Sequence, residues 1–333
     1  MRVLIFGGTG SIGQQCCEVC LQRHDKIVGI SFFNNYVLAN KIKTQYKFSP
    51  KHKKHNNVQS YQELIQKSRP DIIILAISNL ETATRILKMV VDAKINVILA
   101  NKEALILNAK EYQYWLPGWN KQGTAIIPLD SEHSALLQIM SQNYASHGGL
   151  EQIAWYAISA SGGRFMNLKT NELKKIEYEQ VVNHPVWNMG KEITINSATM
   201  FNKFTEMLEA FFIMQGIAPR VFVDKKANQH AIVCYKNGDC FVYEHAPTMT
   251  AHINDCLNFF AKKNNSVHKM KCQKIQWITN AQFIQSFNKY HKLIYSNSFS
   301  QNILSLFAKN TALVNQFINK KISFYTLMKQ IYK

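Results

Sequence analysis

The sequence has no run of about 18 uninterrupted apolar residues, the length a transmembrane helix requires, so none is expected. A secretory leader is not expected either. "MRVLIFGGTG" enters an apolar strand at once and reaches glycine within a few residues, without the longer apolar run and small-residue cleavage site of a signal peptide. These two absences predict a cytoplasmic protein that makes no use of a membrane. There is no internal repeat and no low-complexity tract. Acidic residues are scarce, 21 against 39 Lys and Arg, for a formal net charge of +18. A nucleic-acid binder gathers its basic residues on one face or arm. Here they are scattered, with only short clusters at Lys51–Lys54 (interrupted by His52), Lys225–Lys226 and Lys262–Lys263. That spread reads as a solvated basic surface, and no nucleic-acid partner is expected; a site for small anions stays open. The seven cysteines are an odd number, which argues against a disulfide framework. Cys17 and Cys20 form one C-x-x-C inside "QQCCEVC", but no second pair follows at metal-site spacing, so these thiols read as packing.

What is present is a chain of 333 residues, 47% apolar, enough for two or three domains with real cores. "RVLIF" (2–6), "KIVGISFF" (26–33), "DIIILAIS" (71–78), "NVILAN" (96–101) and "TAIIPLD" (124–130) read as buried strands. A glycine loop with a helix to about residue 23, and "TATRILKMVVDAK", supply helices between them. Strands alternating with helices mean β-α-β units and a parallel sheet. After "HGG" near residue 147 the pattern changes. "IAWYAISA" and "RVFVDKKANQHAIVCYKNGDCFVYE" read as strands, with a hairpin at Asn237-Gly238. The expected organisation is α/β: a Rossmann-like nucleotide domain (1–147), an α+β central catalytic domain (148–260), a polar linker (261–279) and a short helical region (280–333).

"GGTGSIG" places Gly8-x-Gly10-x-x-Gly13 between the first strand and a helix. Glycines there let the backbone approach a pyrophosphate, whose charge is met by N–H groups at the helix start. By itself the motif also fits a glycine turn that serves packing; its place after the first strand favours a dinucleotide. The second strand leads into "FFNN", with neither the acid that holds the ribose of NAD nor the base that holds the phosphate of NADP, so the local residues leave the cofactor open. "PLDSEHS" follows the fifth strand. Asp130 and Glu132 are two apart, on one side of an extended backbone, and suit a hard cation such as Mg²⁺ or Mn²⁺. The plain alternative is a capping Asp and a surface Glu, with His133 a bystander. Ser161 precedes two glycines in a turn able to present a hydroxyl and bare N–H groups to an anion. Ser197, Asn202 and Lys203 are able to hold a phosphate, or equally to be a capping serine and solvated side chains. Asn202 and Glu206, four apart on a helix, share a face, which lets Glu206 join Asp130 and Glu132. Met200, Met207 and Leu208 read as core. In "HPVWNMG" a Pro and a Gly bracket Trp187 and Met189, a loop that serves either as a lid or as a docked anchor.

"GGTGSIG", "LANKEALI", "PLDSEHSALLQ", "SASGGRF" and "HPVWNMGKEITINSATMFNKFTEMLEA" together, in this order, resemble the 1-deoxy-D-xylulose-5-phosphate reductoisomerase family over roughly residues 1–260. The resemblance implies a homodimeric, NADPH-dependent enzyme that uses Mg²⁺ or Mn²⁺ and acts on a small sugar phosphate. It would rearrange 1-deoxy-D-xylulose 5-phosphate by retro-aldol cleavage and re-addition, then reduce the aldehyde to 2-C-methyl-D-erythritol 4-phosphate. It assigns Asp130, Glu132 and Glu206 to the metal and Ser161, Ser197, Asn202 and Lys203 to the phosphate. Ser131 and Lys102 fall near the substrate oxygens, and His184, Trp187 and Met189 on a mobile lid. Gly7, Gly8, Thr9, Gly10, Ser11, Ile12, Gly13, Asn34, Asn35, Asn101 and Glu103 fall to the cofactor. Residue chemistry alone leaves two other outcomes open: a dehydrogenase for another phosphorylated carbonyl compound, and a non-catalytic nucleotide-binding relative.

Overall fold

The computed structural model describes residues 1–52, 54, 56–109, 124–143, 146–162, 165, 168–183, 190–261, 267–270, 275–278, 283–285, 287–289 and 298–331. In chain order the elements begin β1 (Arg2–Phe6), α1 (Ser11–Gln22), β2 (Lys26–Ser31), α2 (Tyr36–Lys41), β3 (Tyr46–Phe48) and α3 (Tyr61–Ser68). They continue with β4 (Ile72–Leu75), α4 (Leu80–Asp92), β5 (Asn96–Leu99), α5 (Lys102–Leu107), β6 (Ile126–Pro128) and α6 (Ser131–Asn143). Next come β7 (Ile153–Ala160), α7 (Thr170–Leu173), α8 (Tyr178–Val181), α9 (Lys191–Ala198), α10 (Phe201–Ile213), β8 (Arg220–Val223), β9 (Gln229–Tyr235) and β10 (Cys240–Glu244). The last are α11 (Met249–Phe260), β11 (Val267–Lys269), α12 (Phe299–Ile318) and α13 (Phe324–Ile331). Packing divides the chain into two units: Met1–Gln138 with Thr248–Asn265, and Ile139–Pro247 with Ser266–Lys333. Among the described residues, no helix is long and apolar enough to cross a membrane.

The first unit is built on a six-stranded sheet of order β3-β2-β1-β4-β5-β6, with every neighbouring pair parallel. Strands covered on both faces must be apolar throughout, and β4 (Ile-Ile-Ile-Leu) is buried at all four positions. The helices supply the covering faces. On α4, Ala83, Ile86, Leu87, Val90 and Val91 are buried, at the three-and-four spacing of one helix stripe. Local capping fixes where helices start: Ser60 accepts from Glu63 N at 3.0 Å and Asn79 accepts from Thr82 N at 2.9 Å. Leu4, Phe6, Ile73, Leu75, Leu87, Val90, Val97 and Leu99 form the central core. The parallel sheet and its strands agree with the sequence reading, apart from β3. That three-residue strand follows no apolar run, and pairs with β2 through Gly29–Ser31. The contribution of α11 to this unit was also not evident. Arg23 at the end of α1 donates to Asn254 and Asn258 of α11 at 2.6 and 2.5 Å, and Cys256 sits 3.8 Å from the Pro128 carbonyl. Cys16, Cys17, Cys20 and Cys256 are all buried free thiols, so the C-x-x-C of α1 is packing.

The second unit holds a five-stranded sheet of order β11-β10-β9-β7-β8, parallel between β7 and β8 and antiparallel elsewhere. The hairpin expected at Asn237-Gly238 joins β9 to β10, with Gly238 at φ 91° and Tyr235 N bonded to the Asp239 carbonyl at 2.8 Å. Across it Cys234 and Cys240 form a disulfide with Cα atoms 4.1 Å apart, one staple among the described residues rather than a framework. β11 lies inside the stretch expected as a linker. One sheet face carries Ala157, Phe222, Ile232, Cys234 and Val242, with Trp155 and Trp277 packed on it. The guanidinium of Arg220 lies 5.3 Å and 5.8 Å from those two indole rings.

Candidate active site

In an open parallel sheet, ligands collect outside the carboxyl ends of the strands, where strand order reverses. In the first unit that reversal falls at β1, flanked by β2 and β4. Gly7, Gly8, Thr9 and Gly10 connect β1 to α1 there. Gly7 adopts φ 84°, and a Cβ on it would lie 2.4 Å from the Ala76 carbonyl oxygen. A Cβ on Gly13 would lie 2.1 Å from the Gly7 carbonyl oxygen, so the close approach of helix to loop excludes any side chain. Ser31 anchors the loop through its hydroxyl to Gly7 N (3.0 Å) and its carbonyl to Gly8 N (2.9 Å). The first bond of the α1 ladder runs from Gln14 N to the Gly10 carbonyl. The amides of Ser11, Ile12 and Gly13 precede it, as the N–H groups that a helix start offers to an anion. This loop fits a pyrophosphate.

Three more strand ends carry site residues. After β2, Asn35 caps α2 by accepting from Leu38 N at 3.0 Å, and Asn34 is exposed. After β5, Asn101 caps α5 through Ala104 N at 2.9 Å, and its amide donates to the carbonyls of Ile77 and Ser78 beyond β4. Lys102 and Glu103 open α5, both partly exposed. After β6, Asp130 leads into α6, whose first turn holds Ser131 and Glu132. Lys102 reaches Asp130 Oδ2 at 2.6 Å. Asp130 and Glu132 offer carboxylate oxygens within 4.8 Å of one another, a spacing a single oxygen-ligated divalent cation can bridge. Ser131 donates to Glu132. His133, expected to be a bystander, is fully buried with Nδ1 3.3 Å from Asp130 Oδ1. The extended backbone expected through Asp130 and Glu132 is instead the start of a helix, with Glu132 in the first turn of α6. On a helix, a residue three ahead of Asp130 returns to its side, which places His133 against it.

In the second unit, Ser161 follows β7, half-buried, and Gly162 adopts φ 107° beside Val223. α9 ends at Ala198 and α10 begins at Phe201, with Met200 between them at φ 62°. Ser197 is in the last turn of α9. On α10, Lys203 and Glu206 are both buried and form an ion pair, and Asn202 donates to the same Glu206 carboxylate. A buried ammonium and carboxylate are tolerated only as such a pair. Phe204, between them in sequence, is fully buried and stacks on Phe201 with ring centroids 5.8 Å apart. Successive residues turn 100° around a helix, so its ring and the Glu206 carboxylate leave the helix on different sides. Met200, Met207 and Leu208 are buried as the sequence implied. His184, Trp187 and Met189 lie outside the described residues.

Residues 126–214 match the 1-deoxy-D-xylulose 5-phosphate reductoisomerase C-terminal domain family. The 1-deoxy-D-xylulose 5-phosphate reductoisomerase of Malacoplasma penetrans is 30% identical over 344 residues, spanning 100% of this chain and 87% of its own length. That of Mycoplasmoides gallisepticum is 33% identical, spanning 99% and 90%. Among solved structures, a DOX-P reductoisomerase in complex with NADPH, fosmidomycin and magnesium superposes with a TM-score of 0.78 at 21% identity, over 100% of this chain and 89% of that one, and shows the same fold.

Proposed function

The chain belongs to the 1-deoxy-D-xylulose 5-phosphate reductoisomerase family, and from that premise we propose that it converts 1-deoxy-D-xylulose 5-phosphate to 2-C-methyl-D-erythritol 4-phosphate with NADPH and a divalent cation, Mg²⁺ or Mn²⁺. The observation that carries the reading is the shared carboxyl end of one parallel sheet, where the glycine loop follows β1 while Lys102 and Asp130, paired with each other, follow the adjacent strands β5 and β6, with Glu132 in the next turn. Both features fit their groups. Side chains are excluded at Gly7 and Gly13, which leaves bare backbone for a pyrophosphate. Asp130, Glu132 and Glu206 are carboxylates, the donor type a hard cation takes.

In this reading Asp130, Glu132 and Glu206 hold the cation, and Gly7–Gly13, Asn34, Asn35, Asn101 and Glu103 border the cofactor. When bound, the cation polarises the substrate carbonyl as a Lewis acid and the nicotinamide supplies the hydride. Lys102 keeps the Asp130 carboxylate oriented and brings a positive charge to a region where oxygen charge develops. Ser131 stands beside it to hydrogen-bond a substrate oxygen. Ser161, Ser197, Asn202 and Lys203 receive the phosphate, remote from the reacting carbons, so that its binding energy orients the substrate. His184, Trp187 and Met189, outside the described residues, are assigned by the family resemblance alone to retaining the cleaved fragments. The test is nicotinamide oxidation by the purified protein with 1-deoxy-D-xylulose 5-phosphate, after EDTA treatment and again with Mg²⁺ or Mn²⁺ restored. Turnover dependent on the added cation is expected. No turnover by folded, metal-loaded protein ends this reading.

A further inference from the structure

The residues after β2 contain no charge, yet a cofactor with a 2′-phosphate needs one there. Asn35 is occupied in capping α2, and Phe33 and Asn34 are exposed and neutral. The missing cation arrives from a different element. In the loop after β3, Lys51 places its ammonium 2.9 Å from Asn34 Oδ1 and 5.6 Å from the centre of the Phe33 ring. We propose that Lys51 is the residue that distinguishes NADPH from NADH, by pairing with the 2′-phosphate at the end of β2. The inference rests on the dinucleotide reading above and names the specificity determinant of that site.

The backbone that carries Lys51 is fixed to the end of β2. Phe32 N bonds to the Phe48 carbonyl at 2.9 Å, which draws the end of β3 alongside. Ser49, fully buried, donates its hydroxyl to the Phe33 carbonyl at 3.2 Å. The same hydroxyl accepts from Lys51 N at 3.2 Å and His52 N at 2.9 Å. Asn56 closes the loop from its far side, accepting from Ser49 N at 2.6 Å and donating to the Ser49 carbonyl at 2.8 Å. The His52 ring stacks on Phe32 at 6.4 Å, with 10° between planes. Beyond this anchor the Lys51 side chain is exposed. An ammonium on a flexible stem adapts to a phosphate as a point charge, and in exchanging the Asn34 amide oxygen for a phosphate it gains a charged partner. A 2′-hydroxyl offers it no such gain.

Direct binding measurements separate the possibilities. Nicotinamide fluorescence titrations would compare NADPH with NADH, and calorimetry would compare 2′,5′-ADP with 5′-AMP. The proteins compared would be wild type, Lys51→Gln and Lys51→Arg. Lys51→Gln is expected to weaken NADPH and 2′,5′-ADP by about tenfold or more, the usual scale for losing a charge-assisted contact. NADH and 5′-AMP affinities stay unchanged, which also shows that the site is intact. Lys51→Arg restores most of the loss, and the gap between Lys51→Gln and wild type narrows as salt rises, since the group is exposed. An equal loss for phosphorylated and unphosphorylated ligands, or no loss for either, overturns the assignment while leaving the dinucleotide reading in place. Failure of folded wild-type protein to bind any of the four ligands overturns both.

Discussion

Lys203 and Glu206 are charged residues placed where water does not reach, so each depends on the other. Removing one partner of a buried pair leaves the other charge uncompensated, at about 3–5 kcal/mol. Lys203→Met should therefore lower stability in urea denaturation by that order. Asp130 is partly exposed and paired with Lys102, and Asp130→Asn should change stability by no more than about 1 kcal/mol. Its effect should fall on catalysis instead, with cation-dependent turnover reduced at least about a hundredfold. Phe204 gives the opposite pattern: Phe204→Ala empties a stacked core position and should cost about 3–5 kcal/mol, with cation affinity, read by calorimetry, unaltered. The sequence drew attention to Asp130, Glu132 and Glu206 by residue type, as carboxylates that a hard cation takes, while leaving a capping role for the first two open. It did not identify His133, whose partnership with Asp130 depends on where α6 begins.

At the scale of elements, the glycine loop permits a test of packing against ligand binding. A Cβ on Gly13 collides with backbone, whereas one on Gly10 would lie 3.3 Å from the Gly7 carbonyl oxygen, tight but adjustable. Gly13→Ala should lower the melting temperature and cofactor affinity together. Gly10→Ala should melt within a few degrees of wild type yet bind NADPH weakly, because its methyl enters the space the pyrophosphate needs. A normal affinity would return the loop to a packing role. The α1 thiols give a pH prediction. Burial pushes Cys17 up to about 11 and Cys20 to about 12 from an ordinary value of 9.0. A raised folded value means the stability is fully present below pH 9 and is lost as pH rises through the folded values. The urea midpoint should fall across that window, and less steeply in Cys20→Ala. Long apolar strands and striped helices such as β4 and α4 were legible, since burial itself writes their pattern. β3 (Tyr-Lys-Phe) and β11 (Val-His-Lys) were not, because polar residues break their three positions, whereas the equally short β6 (Ile-Ile-Pro) is buried and apolar throughout. The placement of Lys51 follows from β3, and so was hidden with it.

For the whole molecule, we propose a homodimer, for which light scattering should give twice the mass of 38.3 kDa; a monomer at assay concentration would count against that assembly. The first unit is discontinuous in sequence: Met1–Gln138 is completed by Thr248–Asn265. α1 keeps its outer contacts, from Arg23 to Asn254 and Asn258, only when α11 is present. A ribosome delivers these parts in order. Between residues 138 and 265 it must add 127 more, roughly 6–25 s at elongation rates of about 5–20 residues per second. Throughout that interval the nascent nucleotide-binding fold has its sheet but not its last helix, and the thiol-lined flank of α1 is open to solvent. The chain is therefore most exposed to misassociation midway through its own synthesis, while the second sheet is still emerging.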